Sequence, residues 1–216
     1  MHAPHCGNRL RRAFIGAALF GALSGTASAY TATLTPVAPK TVYLQVGVGS
    51  FTGNYDAGGQ PQNNTTINTV SATVAAAAVG NGTAQAMTTN STATQSFWDG
   101  FTFCSVPGQV YIGGFYRTTG AATTAALVTA AVPAALTNAT GSTIPFSKIS
   151  WTSSGNADTG AEPFPSGTFA NGAMQNVGSM GSNTWNESCL TFSYANNTVP
   201  AAGTFTGVVL YTLSSP

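Results

Sequence analysis

The stretch Val42–Val48 (VYLQVGV) decides the fold class, because apolar side chains alternate with other side chains along it. The residues at positions 42, 44, 46 and 48 are all valine or leucine. Successive side chains of a β-strand point to opposite faces, so this pattern predicts a strand with one buried face. Helical periodicity is nearly absent from the rest of the chain, so strands must build the fold.

Six further stretches have the composition of strands, and polar, turn-rich segments separate them. They are Ile67–Val79, Phe97–Val106, Gln109–Thr118, Ile144–Thr152, Trp185–Tyr194 and Thr204–Leu213. This organisation predicts an all-β protein, an antiparallel β-sandwich with Greek-key connections of the immunoglobulin-like or jelly-roll-like kind. The Gly113-Gly114 pair predicts a bulge or bend. Ala121–Ala139 contains Pro133 and favours a strand followed by a loop, with a short helix as the alternative.

The N-terminus has the three zones of an export signal. Basic residues come first, the apolar stretch Ala13–Leu23 follows, and small residues at 26–29 (TASA) predict cleavage before Tyr30. We therefore expect a signal peptide over 1–29, an N-terminal extended segment over 30–40 and a single β-sandwich domain over 41–216. The protein is then bacterial and extracytoplasmic, with no transmembrane segment after cleavage. Sec and twin-arginine export both remain open, as does a membrane anchor.

The chain after Ala29 is poor in reactive side chains. It has no histidine, and three cations face five carboxylates, giving a net charge of −2. A Ser-His-Asp or Cys-His centre and a histidine-based metal site are therefore excluded. No basic surface for nucleic acid is expected either. We predict no catalytic residue, no metal and no cofactor. The alternative is a carboxylate-dependent hydrolase that uses two of the five acids Asp56, Asp99, Asp158, Glu162 and Glu187.

The two cysteines of the predicted mature chain, Cys104 and Cys189, are expected to form one disulfide in an oxidising compartment. By strand alternation Cys189 lies opposite Leu190 and Phe192, and Cys104 lies opposite Phe103. Both cysteines then point away from the main apolar face. A bridge between neighbouring strands or at a strand end is therefore favoured over an inter-sheet disulfide in the core.

The tryptophans Trp98, Trp151 and Trp185 lie near the ends of predicted strands. Exposed rings of this kind can stack on sugars, whereas buried rings would fill the core. Trp98 and Trp185 are the candidate ligand-binding residues. Trp98 is the better candidate for an exposed platform, because it shares a face with Cys104.

The C-terminal sequence Val199–Pro216 (VPAAGTFTGVVLYTLSSP) resembles the terminal strand of bacterial pilin-like and fimbrial subunits, and the end of WxL cell-wall-binding domains. Gly203 is fourteenth from the end, as in chaperone–usher pilins, but Ser215 stands where those proteins carry tyrosine. The resemblance implies a secreted surface β-sandwich. The segment Thr31–Val37 is then a donor strand for a neighbour's sheet edge, the first edge strand of its own sheet, or a flexible leader.

These patterns together predict a non-catalytic secreted or surface-associated structural or adhesive protein. Low charge permits association between copies, so the expected partner is the protein itself, in a homo-oligomer or filament. The alternative is a carbohydrate-binding module that binds a cell-surface glycan through an exposed tryptophan.

Overall fold

Two antiparallel sheets pack face to face in the computed structural model, which describes residues 31–55, 59–155 and 162–216. The predicted signal peptide lies outside the described residues. The first eight strands are β1 (Thr31–Thr33), β2 (Thr41–Val46), β3 (Phe51–Thr52), β4 (Gln60–Pro61), β5 (Val70–Ser71), β6 (Gln85–Ala86), β7 (Thr88–Thr89) and β8 (Val110–Arg117). The others are β9 (Ala126–Ala131), β10 (Ala135–Thr137), β11 (Thr143–Pro145), β12 (Ile149–Ser154), β13 (Gly167–Thr168), β14 (Met174–Met180), β15 (Thr184–Tyr194) and β16 (Leu210–Ser214). Two 3-10 turns cover Ala76–Ala78 and Phe146–Lys148.

The large sheet has the strand order β13-β12-β15-β8-β2, and β1 and β6 also pair with β15. The small sheet has the order β14-β9-β16. The three remaining strand pairs, β3 with β4, β5 with β7 and β10 with β11, are short. The prediction of an all-β sandwich is confirmed, whereas the Greek-key connection stays a prediction.

The main core lies between the two sheets. The large sheet contributes Val110, Ile112, Trp151, Leu190 and Phe192, among others. The facing residues of the small sheet are Ala126, Val128, Ala130, Val177 and Met180. Alternating residues of each strand meet here because a strand turns every second side chain to the same face.

The large sheet is also covered on its outer face. All eight residues of β8 are buried, although a strand of a two-layer sandwich normally exposes every second side chain. Side chains from 51–55 and 91–104, which we call the outer layer, pack on this second face and enclose two further apolar clusters. The molecule therefore has a core on each side of its large sheet.

Several predicted strands differ from the observed ones. Phe97–Val106 is mostly loop, with a single bridge between Gln95 and Thr102, and Phe103 and Cys104 are buried in the same cluster rather than on opposite faces. Ile67–Val79 forms only β5 and one 3-10 turn. The final strand is limited to Leu210–Ser214. Local β-propensity did not decide these segments. Phe97–Val106 packs over the large sheet as a covering loop, whereas no residue of Ile67–Val79 is buried.

Two alternatives that the sequence left open are resolved by the structure. Ala121–Ala139 contains two strands, β9 and β10, and no helix. The segment at the N-terminus is the first edge strand of its own sheet, since β1 pairs with β15 and Leu34 is buried.

The Gly113-Gly114 pair makes no bulge, because both residues stay in register with β2 and β15.

Candidate functional site

The outer face of the large sheet carries one aromatic row and one polar row. Strand register aligns the aromatic row as Tyr43, Phe115 and Trp185 on β2, β8 and β15. The polar row, two residues further along, is Gln45, Gly113 and Glu187. These rows define the candidate functional site, since they bring the one fully buried carboxyl of the described residues into an aromatic environment.

The carboxyl group of Glu187 is 1% exposed. Its Oε2 atom accepts hydrogen bonds from the Trp185 indole (2.9 Å) and the Tyr111 hydroxyl (2.7 Å). Among the described residues no cation forms an ion pair with it. Burial raises its pKa to about 7, and a smaller increase comes from the charge of Asp99. Hydrogen bonding from Trp185, Tyr111 and Ser96 opposes that rise.

Gly113 makes room for this arrangement. A Cβ atom at position 113 would lie 2.3 Å from the Tyr111 hydroxyl oxygen, so only glycine lets that side chain fold across the strand towards Glu187. On the other side of the same glycine, the Tyr43 hydroxyl donates to Gln45 Oε1 at 2.6 Å, and Gln45 Nε2 donates to the carbonyl of Gly47 at 2.8 Å. The polar row is therefore hydrogen-bonded within the sheet's outer face.

A tight turn of the outer layer covers the carboxyl. The hydroxyl of Ser96 accepts the backbone N–H groups of Trp98 (3.1 Å) and Asp99 (3.4 Å). The turn is closed by a hydrogen bond from the Ser96 N–H to the carbonyl of Phe101. Ser96 thus holds the turn beside Glu187, whose pKa it lowers.

The disulfide fastens the same layer to the sheet. Cys104, in the loop before β8, is bonded to Cys189 of β15, and their Cα atoms are 5.5 Å apart. Cys189 lies on the face opposite Leu190 and Phe192, as the alternation predicted, and the bridge is outside the main core. Cys189 and Glu187 are two residues apart on β15, so the covalent attachment of the outer layer lies beside the buried carboxyl.

The two candidate tryptophans lie close together but differ in exposure. Their ring centroids are 6.4 Å apart and their planes differ by 29°. Trp185 is 0% exposed, so the hypothesis that it is an exposed sugar platform needs correction: the outer layer covers this ring, which sequence alternation could not show. Trp98 is partly exposed, and Phe101 in the same turn is 37% exposed. Trp151 is buried in the main core.

The other acids do not join Glu187. Glu162 lines a separate cleft beside β14, and Asp99 is exposed in the turn. Asp56 and Asp158 lie outside the described residues. No group of three metal-ligating side chains occurs in the described ranges. Glu187 is the acid of the described residues that is enclosed in the aromatic cluster, at 1% exposure.

Sequence reasoning missed Tyr111, Ser96 and Gly113 as members of this cluster. One signal was available: Gln109–Thr118 places aromatic residues on both sides of a glycine pair, which indicates a strand buried on both faces.

A second candidate surface is the side of the sandwich where two open edges meet. The edge strand β2 of the large sheet and the edge strand β16 of the small sheet pack beside each other. Lys40, just before β2, donates from Nζ to the carbonyl of Pro216, just after β16, at 2.6 Å. A cleft of about 330 Å³ runs along β2, and its other wall contains Pro61, Gln62, Asn64 and Thr66.

Comparison with known proteins gives no relative to set beside this site. No protein-family model matches the chain, and no curated protein or solved structure matches it significantly. Within the described ranges, no helix is long and apolar enough to cross a membrane. The fold and the disulfide define the protein as an all-β sandwich with one Cys104–Cys189 bridge.

Proposed function

We propose that this protein is a non-catalytic, extracytoplasmic structural subunit that associates with copies of itself. The observation that carries the proposal is the small sheet, in which none of the residues of β9, β14 and β16 is charged. Its outward side exposes Met174 (69%), Leu210 (65%) and Leu127 (45%). The first two lie in one row, each opposite Ala131 of the central strand.

An uncharged sheet of this kind favours association for two physical reasons. Exposed apolar side chains gain free energy when another surface removes them from water, by roughly 25 cal/mol for each Å² buried. Copies with few charges also repel one another weakly. The predicted export signal and the disulfide are compatible with a location where such a subunit would work.

Sedimentation of the processed chain, beginning at Tyr30, tests the proposal. Sedimentation velocity from micromolar to millimolar concentration is expected to show a mass that increases with concentration, and negative-stain microscopy is expected to show ordered assemblies. A protein that stays monomeric over the whole range, in solution and on the native cell surface, contradicts the proposal.

Glycan binding at Trp98 is the second candidate function. Its specific support is that Trp98 and Phe101 expose aromatic surface on one turn held by Ser96 and the disulfide, which gives a rigid ring platform. A glycan array should detect binding that Trp98→Ala abolishes. The matched control is Val199→Ala, which removes an exposed apolar side chain elsewhere. Absence of binding by the unmodified protein removes this candidate.

A further inference from the structure

The edges of the two sheets that meet on one side of the sandwich lack, within their strands, the residues that usually protect an edge. Natural edge strands carry charged residues, proline or bulges, which prevent pairing with another chain. Within β2 (TVYLQV) and β16 (LYTLS) there is no charged residue and no proline. In the described part of the chain β2 pairs only with β8, and β16 pairs only with β9.

The hydrogen-bond pattern shows which backbone groups of β2 face the open side. The N–H of Gly47 donates to the carbonyl of Tyr111 in β8 at 2.7 Å, so the odd-numbered residues here face β8. The even-numbered residues Val42, Leu44 and Val46 therefore turn their N–H and C=O groups away from β8. Their side chains still pack against the main core.

The next even-numbered residue, Val48, shows how a partner would form hydrogen bonds with the outward N–H and C=O groups of this edge. The N–H of Val48 donates to Asn68 Oδ1 at 2.7 Å, and the carbonyl of Val48 accepts from Asn64 Nδ2 at 2.5 Å. Two amide side chains thus supply the bonds that a neighbouring strand would make. They close the edge at Val48 and leave the cleft beside Thr41–Val46 open.

We infer that the side formed by β2 and β16 is the interface at which a second copy of this chain associates, edge to edge. The inference rests on the proposed function and limits its surface to the β16 side of the small sheet, where Leu210 is exposed, and to the adjoining edge of β2. A row of outward N–H and C=O groups is matched best by another strand. A second copy carries the same two open edges at the same spacing, so a two-fold axis brings both pairs together.

The size of these edges predicts a weak, concentration-dependent contact. A six-residue strand is about 20 Å long, and two sheets about 10 Å apart with their side chains give a width of roughly 20 Å. The contact then covers about 400 Å² on each copy, or about 800 Å² in total, which is in the range of weak, transient contacts and below that of stable interfaces. Association is therefore expected at high local concentration, as on a crowded surface or within a filament.

One row of the small sheet offers a matched set of variants. Strand register places Asn176, Thr129 and Thr212 side by side on β14, β9 and β16. Lysine at each position adds the same charge to one outward face. Asn176 lies on the edge strand away from the inferred interface, Thr129 lies on the central strand, and Thr212 lies on the edge strand at the interface. Thr212→Lys is expected to raise the dissociation constant of the assembly by about tenfold or more. Thr129→Lys and Asn176→Lys are expected to change it little.

The outcomes separate the interface from the proposed function. An unmodified protein that never associates overturns both. If the unmodified protein associates and the Thr212→Lys variant associates equally well, the edge interface alone is overturned. If all three lysines weaken association equally, the contact is the flat outer face, and the edge interface is again wrong.

A cysteine cross-link provides an independent measurement in case a lysine variant folds poorly. Thr212→Cys is expected to form a disulfide between copies under mild oxidation, because Thr212 lies on the edge strand at the inferred interface. Asn176→Cys, on the opposite edge, is the control and is expected to stay uncrosslinked. Equal cross-linking of the two variants contradicts the inference.

Discussion

Glu187 is a buried acid whose negative charge is stabilised by hydrogen bonds rather than by a cation. The Trp185 indole and the Tyr111 hydroxyl both donate to one carboxyl oxygen, and the Ser96 hydroxyl also favours the charged form. Burial outweighs these bonds, so the net shift of the pKa is upward, to about 7. Glu187 consequently ionises within the neutral pH range.

We predict that the protein is more stable near pH 5 than near pH 8. The pKa of Glu187 is raised from 4.5 to about 7 on folding, so the folded state holds the proton more tightly than the unfolded chain. The resulting stabilisation is complete below pH 4.5 and is lost as the pH rises through about 7. Its full size is about 3 kcal/mol. Urea unfolding at a series of pH values measures it.

Glu187→Gln is the control for that pH dependence. The glutamine carbonyl can accept from Trp185 and Tyr111, and its amide can donate towards Ser96, so the fold should be kept. The free energy of unfolding of this variant should change much less between pH 5 and pH 8. Equal pH dependence in the variant and the unmodified protein would show that another group titrates.

Gly113→Ala is predicted to destabilise the protein by about 1–3 kcal/mol, the usual cost of overpacking. The new Cβ would lie 2.3 Å from the Tyr111 hydroxyl oxygen and displace that ring from Glu187. Gly120→Ala is the control, because a Cβ at position 120 meets no atom within 4 Å and its φ needs no glycine. Denaturant unfolding of both variants compares them; a loss as large in Gly120→Ala would refute the steric explanation.

At the scale of elements, the outer layer is held mainly by its attachments. The turn over Ser96–Phe101 contains no strand, and it is fixed by the Cys104–Cys189 bridge and by the cluster around Glu187. The disulfide closes a sequence separation of 85 residues. Such a bridge restricts the unfolded chain strongly on the chain-entropy model.

Reduction of this disulfide is predicted to lower the free energy of unfolding by about 4 kcal/mol. The double variant Cys104→Ser/Cys189→Ser should behave like the reduced protein. Hydrogen exchange should accelerate more at residues 93–105 than in β9, because β9 is held by strands on both sides. Uniform acceleration across both regions would contradict a local role for the bridge.

The elements also show why sequence periodicity succeeded in some places and failed in others. β2, β8 and β15 were predicted nearly at their observed bounds, because each lies within the large sheet and is rich in β-branched and aromatic residues. Phe97–Val106 and Thr204–Leu213 have similar composition but form mostly loops. In Phe97–Val106 the aromatic side chains pack over the large sheet, and packing of this kind carries no fixed period.

At the scale of the whole molecule, the scarcity of charge limits which forces could hold copies together in the proposed association. Only eight side chains of the chain after Ala29 are acidic or basic by type, and the small sheet has none of them. Association between copies should therefore depend on apolar contact and backbone hydrogen bonds rather than on ion pairs.

Salt is predicted to leave self-association unchanged or to strengthen it. Raising sodium chloride from 50 to 500 mM screens ion pairs, which contribute little here, and does not weaken apolar burial. Sedimentation velocity at a fixed millimolar concentration measures the effect. Dissociation of the assemblies at high salt would show that charges, and not the uncharged edges, hold them together.

The sequence by itself determined the all-β class, the two partners in the disulfide and the poverty of catalytic side chains, since these follow from composition and from a period of two. Only the tertiary structure decided that the large sheet is buried on both faces, that Trp185 is enclosed, and that Glu187 meets Tyr111 and Ser96. Only the tertiary structure, likewise, brought the open edges of β2 and β16 to the same side of the sandwich. The physical reason is that residues distant in sequence become neighbours only when strand register and the covering loops are fixed.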